Sequence, residues 1–199
     1  RKYKKKNMEL KIEKIFKHEK KKNKYVVLLE DGTSHELINE TLLKFGLRSG
    51  DIIDEKRLSE IFLQGNLLEA KNSALWLLSK RMRTEKEIID RLKRKGHDEV
   101  VIDATIKDLK RMNLINDDDF AQRYISDSLN LRKPYGKFAL NHKLQKLGVV
   151  KNLVKEKISG IITEEDEMGL ALSLAKKKLS LLSKFDDYKK KQRIASFLA

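Results

Sequence analysis

The stretch RTEKEIIDRLKRKG, residues 83–96, decides the fold, because the chain repeats its pattern. It aligns with YGKFALNHKLQKLG, residues 135–148, at a constant shift of 52 positions. Apolar residues coincide at helical spacing, and each copy ends at a glycine, which is favoured just beyond the end of a helix. The coinciding pairs are Ile88 with Leu140, Leu92 with Leu144, and Gly96 with Gly148.

Local signals mark the first copy as a helix. Thr84 is followed three residues later by Glu87, the spacing of a capping box, in which each side chain binds the other residue's backbone amide. Gly96 predicts the end of this helix, and Asp98 stands where it can cap the next one. The sequence therefore predicts two short consecutive helices.

The repeat continues along the chain. A third copy begins at EEDEMGLALSLAKKKL, residues 164–179, and each copy is predicted to form three short helices. Units of this size cannot bury their apolar faces alone, so they stack into arrays. We therefore expect a mainly α protein in which tandem three-helix repeats form an elongated helical array after a small β-rich module. The predicted divisions are that module with one helix at 1–58, a linker helix and repeat 1 at 59–115, repeat 2 at 116–162, and repeat 3, cut short, at 163–199.

The first part of the chain alternates like strands instead. MELKIEKIF (8–16) and KYVVLLE (24–30) are typical of half-buried strands, and Asp31-Gly32 is a hairpin signal before a returning strand at SHELI (34–38). A short helix, NETLLKFG, is predicted to stop at its glycine before a turn and a short strand. These elements make up the predicted β-rich module.

Charge and composition limit the functional class. The 199-residue chain has a formal net charge of +15, with twelve Lys or Arg against three Glu in 1–24 and twenty-one against twelve Asp or Glu in 70–160. Such an excess indicates a polyanionic partner, for example nucleic acid. The chain has no cysteine, no apolar run near the roughly 18 residues of a membrane span, and no apolar segment of a secretory signal. We expect a cytoplasmic protein without membrane contact.

Residues 116–119, Asn-Asp-Asp-Asp, form an acidic cluster in this basic chain. Asn or Asp at an N-cap accepts a hydrogen bond from a backbone amide, and acids in the first turn favour the helix dipole. A calcium loop of the EF-hand type needs a central glycine and a glutamate at its twelfth position, where Gln122 and Ser128 stand. We therefore predict no metal, no cofactor and no catalytic residue here. The predicted structural caps are Asn116, Asp117, Asp118 and Asp119 for one helix, and Thr84 with Glu87 for the other.

Three segments in a fixed order resemble the RecX family. They are ALWLLSKRMRTEKEIIDRLKRKG (74–96), IDATIKDLKRMNLINDDDFAQRYI (102–125) and GKFALNHKLQKLG (136–148). The acidic LINDDDFA junction, together with Lys133 and Gly136 before a leucine helix, is the most specific part. The likeness covers about 70–199, and KFGLRSGDIID (44–54) is similar to the N-terminal extension of longer members.

The resemblance implies a non-enzymatic regulatory protein that modulates the RecA recombinase. Members of that family lie in the helical groove of the RecA–single-stranded DNA filament and impede filament growth, ATP hydrolysis and strand exchange. They thereby modulate recombination, DNA repair and the SOS response. The implied partners of this chain, expected as a monomer, are the RecA filament, single-stranded DNA and also double-stranded DNA.

Basic residues gather at comparable places in the first two repeats, and we predict that they form the filament- and DNA-binding face. Arg81, Arg83, Arg132 and Lys133 lead this set because both repeats are basic there. For any single lysine, a solvated surface is the simpler interpretation. The predicted face consists of Lys80, Arg81, Arg83, Arg91, Lys93, Arg94, Lys95, Arg123, Arg132, Lys133, Lys137 and Lys143.

Two other functional classes stay open from the sequence. A general basic DNA-binding or architectural protein would have no dedicated recombinase partner. A metal-dependent nuclease would need Asp117–Asp119 to bind metal. Trp76 and Tyr135 are aromatic candidates for stacking on bases, although the leucines around Trp76 favour a core position for it.

Overall fold

The structure, a computed structural model, describes residues 9–131 and 135–198. Within these ranges it contains one four-stranded sheet and nine α-helices, which confirms a mainly α chain with tandem helical repeats and a small β-rich module before them. None of the helices in these ranges is long and apolar enough to cross a membrane. The strands are β1 (Glu9–Lys17), β2 (Lys24–Leu29), β3 (Ser34–Ile38) and β4 (Ile52–Asp54); the helices are α1 (Asn39–Phe45), α2 (Glu55–Leu78), α3 (Glu85–Arg94), α4 (Glu99–Arg111), α5 (Asp117–Leu129), α6 (Lys137–Lys146), α7 (Lys151–Ile161), α8 (Glu164–Ser180) and α9 (Asp187–Leu198).

The sheet has the order β3-β2-β1-β4, and all neighbouring strands are antiparallel. The predicted hairpin turns at Gly32, whose φ of 84° lies in the left-handed region that favours glycine. The register of β1 against β2 shifts between Ile12 and Lys14. Because of this bulge, Ile12 and Ile15 both pack into the core, although strict alternation would put them on opposite faces.

Helix α2 contributes to two cores. Its first half packs against the sheet, where Leu58 is buried with the strand residues. Gly65 permits this approach, since a Cβ there would lie 2.6 Å from the Leu37 side chain. The second half of α2, including Ala74 and Leu77, packs with α3 and α4 instead. One continuous helix therefore joins the β-rich module to the first helical repeat.

Each of the first two three-helix groups encloses its own apolar core. The first core lies between the second half of α2, α3 and α4, and the second lies between α5, α6 and α7. Both arise from apolar residues spaced along one side of each amphipathic helix. The fully buried side chains include Ile88, Leu92 and Leu109 in the first group, and Ile125, Leu140, Leu144 and Val154 in the second.

Helices α3 and α6 end in the same Schellman geometry. In this motif an amide beyond the helix end bonds a carbonyl of the last turn, with a left-handed residue between them. The amide of His97 donates to the carbonyl of Leu92 at 3.3 Å, and the amide of Val149 donates to Leu144 at 3.1 Å. The intervening glycines have φ of 84° and 99°. Both helix ends thus depend on glycine, as the sequence predicts.

The predicted cap of α4 is wrong in one respect. Asp98 occupies the N-cap position, but its side chain accepts no cap hydrogen bond. The carboxylate is exposed to water, and the backbone carbonyl of Asp98 accepts the amide of Ile102 at 2.9 Å instead. Asp98 therefore favours α4 through its charge near the helix dipole and not through a side-chain cap.

The chain divides into two compact units. One holds the residues up to Arg83 together with Ile88–Ile115, and the other holds Thr84–Glu87 with the residues from Asn116 onward. In the second unit, α8 and α9 follow α7. Thr163 and Asp166 form a capping box at the start of α8, and α8 has no buried residue along its length.

Candidate basic interaction surface

The acidic junction before α5 is an N-cap. Asn116 has extended backbone angles, and its side-chain oxygen accepts the amides of Asp118 at 3.0 Å and Asp119 at 3.3 Å. Helix α5 begins at Asp117, so the three carboxylates lie in its first turn, near the positive end of the helix dipole. This cap explains why the acids follow one another directly.

The three aspartates have three different partners within the second unit. Asp117 accepts the backbone amide of Glu85 at 2.9 Å, and Asp119 accepts the side-chain amide of Asn116 at 2.8 Å. Asp118 forms an ion pair of 2.7 Å with Lys157 of α7, and this hydrogen bond raises the pKa of the lysine. The carboxylates thus organise the start of α5 and its contacts with neighbouring helices.

The residues described by the structure contain no group of three or more histidine, aspartate or glutamate side chains placed to hold a metal ion. A nuclease site would need carboxylates that converge from separate elements. The Asp117–Asp119 carboxylates diverge to separate partners instead.

The basic residues at the end of α2 differ in exposure. Lys80 and Arg81 are exposed, whereas Arg83 is half-buried. The ammonium of Lys80 lies 5.6 Å from the centre of the Trp76 ring. The Arg81 guanidinium donates to the backbone carbonyl of Met82 at 2.9 Å. Lys80 and Arg81 therefore present charge to solvent, whereas Arg83 is partly packed.

Four basic residues at the end of α3 and directly after it are exposed, but they do not share one side of the helix. They are Arg91, Lys93, Arg94 and Lys95. Each residue turns the helix by about 100°, so neighbouring cations point in different directions. Lys95 reaches back to Ser73 of α2, where its ammonium donates at 2.8 Å. The Lys95 ammonium is therefore directed toward α2, although the residue is exposed. Lys93 is paired with Glu99 at 3.2 Å, and Arg94 donates to the backbone carbonyl of Asp90 at 3.1 Å.

In the second repeat the described cations are mostly engaged by neighbours. Lys137 is half-buried and pairs with Glu167 of α8 at 2.9 Å. The Lys143 ammonium lies 4.4 Å from the centre of the Tyr135 ring, a cation–π contact. Arg123 is exposed on α5. The remaining two predicted cations of this repeat, Arg132 and Lys133, lie outside the described residues.

The prediction of a core position for Trp76 is wrong. Its side chain is 60% exposed, whereas Ala74 and Leu77 on the same helix are buried. Adjacent residues of a helix point about 100° apart, so flanking leucines do not show that a tryptophan is buried. Phe138, on α6, is a further exposed aromatic, at 87%, that the sequence interpretation missed. The repeat itself carried the signal, since Phe138 aligns with the solvent-exposed Lys86 of the first copy.

Comparison with known proteins identifies the chain's relatives. Residues 70–109 match the family model described as RecX, first three-helix domain. The chain is 35% identical over 178 residues to the regulatory protein RecX of Clostridium perfringens (strain 13 / Type A), covering 88% of this chain and 82% of that protein. The chain belongs to the RecX family. The regulatory protein RecX of Clostridium botulinum (strain Alaska E43 / Type E3) is 30% identical over 190 residues, which cover 94% of this chain and 88% of that one.

Solved RecX structures share the fold. A crystal structure of regulatory protein RecX matches with a TM-score of 0.69 and 25% identity, over 95% of this chain and 92% of that chain. A crystal structure of RecX from Lactobacillus salivarius matches with a TM-score of 0.62 and 26% identity, over 67% of this chain and 85% of that one. The RecX resemblance inferred from the sequence is thereby confirmed, and both Clostridium relatives are named regulatory proteins.

Proposed function

We propose that this protein is a non-enzymatic regulator that binds the RecA–single-stranded DNA filament in its groove. It inhibits filament growth, ATP hydrolysis and strand exchange, and thereby modulates recombination, DNA repair and the SOS response. The observation that carries this proposal is family membership, which extends over most of the chain. A partner of this kind implies a cytoplasmic protein, and binding requires no cofactor and no oligomer.

The charge of the protein supports a filament that contains DNA. A formal net charge of +15 favours association with a polyanion, because bound phosphates release their counterions. Contacts of Lys and Arg with phosphates position a protein on nucleic acid without reading its sequence. That property suits a regulator that acts wherever a filament forms.

The exposure of the predicted basic residues favours some of them over others as contacts to a filament. Lys137 and Arg83 are half-buried. Exposure, and not the lack of a partner within the protein, selects Arg81, Arg91 and Lys80, just after α2 and on α3. We infer that these three, with Arg132 and Lys133 of the second repeat, supply most of the binding energy of the basic face.

The test compares two variants with the same change in charge. One carries Arg81→Glu, Arg91→Glu, Arg132→Glu and Lys133→Glu, and it leaves the half-buried Arg83 intact. We expect the concentration needed for half-inhibition of RecA ATP hydrolysis to rise by about tenfold or more, because several charge contacts are lost together. Circular dichroism checks that the helical content is unchanged.

The matched control reverses four exposed lysines outside the proposed face, namely Lys107, Lys151, Lys155 and Lys176. We expect it to inhibit within about threefold of the unmodified protein, since general charge acts weakly at a distance in salt. Equal loss in both variants would refute the proposed face, and unchanged inhibition in the first variant would show that other residues bind the filament.

The high net charge also favours a second candidate, a general DNA-binding protein without a recombinase partner. In that case inhibition would follow from DNA occupancy alone. The affinity for DNA would fall by about 0.7–0.9 log units per log unit of salt for each neutralised phosphate, and inhibition would fall in parallel. Inhibition that persists at salt concentrations where free DNA is no longer bound favours the filament regulator.

A further inference from the structure

An exposed aromatic ring lies between polar and basic groups near the end of α2. Asn72 and Trp76 are four residues apart on one side of the helix, and Lys80 follows in the turn after Leu78; all three are exposed. The Lys80 ammonium lies 5.6 Å from the Trp76 ring centre. A large indole left in water on an otherwise polar helix side costs free energy unless a ligand covers it.

A groove of about 380 Å³ opens beside this ring, within the first unit. Four of its nine lining residues carry a neutral amide or hydroxyl, and the others include two glutamates and one lysine. Side-chain amides donate and accept hydrogen bonds, as the edges of nucleobases do. The lining includes Asn23, Asn39, Asn72, Ser73, Trp76 and Lys95.

Two carboxylates and one ammonium also line the groove. Glu69 pairs with Lys24 at 2.8 Å, and Lys24 also pairs with Glu36 at 3.3 Å. Glu40 accepts the neutral side-chain amide of Asn72 at 2.8 Å and keeps its charge. The positive charge for a phosphate therefore comes from the Lys80 ammonium beside Trp76, while Lys95 in the lining offsets Glu40.

We propose that this groove binds an unpaired nucleotide of single-stranded DNA, with its base stacked on Trp76. The amides of Asn23, Asn39 and Asn72 face the base edge, and the ammonium of Lys80 lies beside the adjoining phosphate. Stacking on an aromatic side chain next to basic residues is how proteins bind single strands without sequence preference. A duplex cannot use this site, because its bases are stacked on each other.

The proposal adds a nucleotide site to the filament-binding face and does not depend on a recombinase. It is therefore tested with free DNA and this protein alone. Trp76 is the only tryptophan of the chain, so intrinsic tryptophan fluorescence reports this groove and nothing else. Failure here would leave the proposed action on the RecA filament standing, because that action is measured separately by ATP hydrolysis.

The first experiment titrates the protein with a short oligothymidylate and with an abasic oligonucleotide of equal length. The two strands carry the same phosphates, but only the first has bases to stack. We expect oligothymidylate to quench Trp76 fluorescence and to bind about five- to a hundredfold more tightly than the abasic strand, the range for stacking of one base or more. A polyglutamate peptide of similar charge should cause no quenching.

The second experiment measures binding of a labelled oligothymidylate by fluorescence anisotropy. Trp76→Ala should weaken binding by about five- to a hundredfold, whereas Trp76→Phe, which keeps an aromatic face, should stay within about fivefold. The matched control is Phe138→Ala, which removes another exposed aromatic from a helix and should leave binding unchanged. Circular dichroism verifies the fold of each variant.

Three results would overturn the proposal. They are equal affinity for the abasic strand, unchanged binding by Trp76→Ala, and quenching by polyglutamate comparable to that by DNA. The last would mean that the groove takes an acidic protein segment instead of a nucleotide.

Discussion

Helices α3 and α6 hold the same place in two consecutive three-helix groups, and their inner sides correspond residue by residue. Ile88 and Leu92 of α3, and Leu140 and Leu144 of α6, are fully buried. Both helices end at a glycine with positive φ in the same Schellman geometry. Packing of a small three-helix core permits little variation at these positions.

The outer sides of the two helices differ. At the position of the exposed Lys86 in α3, helix α6 has Phe138, which is 87% exposed. At the position of Lys93, which pairs with Glu99, helix α6 has Gln145. At these two outer positions α6 thus has an aromatic ring and a neutral amide where α3 has lysines, whereas Lys143 and Lys146 keep a positive charge at the positions of Arg91 and Arg94.

The starts of the two helices differ as well. Thr84 and Glu87 form a reciprocal capping box on α3, with bonds of 3.2 and 3.3 Å. Helix α6 follows Gly136, which offers no side-chain cap, and its first residue, Lys137, is paired with Glu167. The two repeats pack their cores in the same way but differ in the side chains that a partner could contact. A binding residue in one repeat therefore does not imply that the equivalent residue of the other repeat also binds.

The largest expected effect tests the shared inner side. Leu92→Ala and Leu144→Ala remove the same side chain from fully buried, equivalent positions. Each should lower the free energy of unfolding by about 2–5 kcal/mol, because each leaves a cavity in a close-packed core. Urea denaturation followed by circular dichroism measures both. A cost below about 1 kcal/mol at either position would contradict the equivalence of the two cores.

The next effect separates the two terminal glycines. A Cβ at Gly148 would lie 2.3 Å from the Lys86 side chain, whereas nothing lies within 4 Å of one at Gly96. Gly96→Ala should cost about 1–2 kcal/mol from the left-handed backbone alone. Gly148→Ala should cost about 2–4 kcal/mol, because Lys86 must also move. Equal losses in thermal or chemical unfolding would show that the contact with Lys86 is easily relieved.

The third effect concerns the side-chain cap that α3 has and α6 lacks. Thr84 is buried, and its hydroxyl donates to the Leu147 carbonyl at 2.6 Å while accepting the Glu87 amide. Thr84→Val keeps the shape but leaves both groups unsatisfied, which should cost about 1–3 kcal/mol. Thr163→Val, at the exposed capping box of α8, is the control and should cost about 1 kcal/mol or less, because water replaces the lost bond. The reverse order would mean that burial does not strengthen the Thr84 bonds.

The smallest effect is a pH dependence that His97 adds to the first repeat. Burial is the main cause that lowers the pKa of His97 below 6.5, and the equivalent residue of the second repeat is Val149. The unfolded chain takes up the proton near pH 6.5 and the folded protein only at lower pH. The contribution of neutral His97 to stability is therefore fully present above pH 6.5 and is lost progressively as the pH falls from there through the lower pKa of the folded protein. His97→Val should therefore lose less stability than the unmodified protein between neutral and mildly acidic pH. Identical slopes of unfolding free energy against pH would contradict this.

Much of the fold is predictable from the sequence because local chemistry repeats. Glycine is favoured where a helix ends in the left-handed conformation, and the structure has this conformation after both amphipathic helices. The Thr84–Glu87 spacing fits a capping box, and the structure contains the corresponding hydrogen bond. The bulge in β1 could not be predicted, since it depends on how Ile12 and Ile15 pack against the other strands and α2. The sequence likewise does not show whether the Asp98 carboxylate accepts a backbone amide or stays in water, and in the structure it accepts no cap hydrogen bond.

The candidate surface was less predictable than the fold. Cations can be counted from sequence, but their direction depends on helix rotation and on neighbours distant in the chain. Lys95 binds Ser73, and Asp118 binds Lys157, through contacts that only the tertiary structure brings together. The flanking leucines favour a core position for Trp76, but the rotation of the helix turns its side chain to solvent.

Direct action on the RecA filament is the proposal on which the function depends. It is tested by measuring ATP hydrolysis by the RecA recombinase of the source organism in the presence of single-stranded DNA. The DNA is in large excess, and this protein is well below the recombinase concentration. We expect strong inhibition under these conditions, because a molecule bound to a filament would impede growth of the whole filament and could not act by covering the DNA. Inhibition that appears only when the protein saturates the DNA would refute direct action and indicate a general DNA-binding protein.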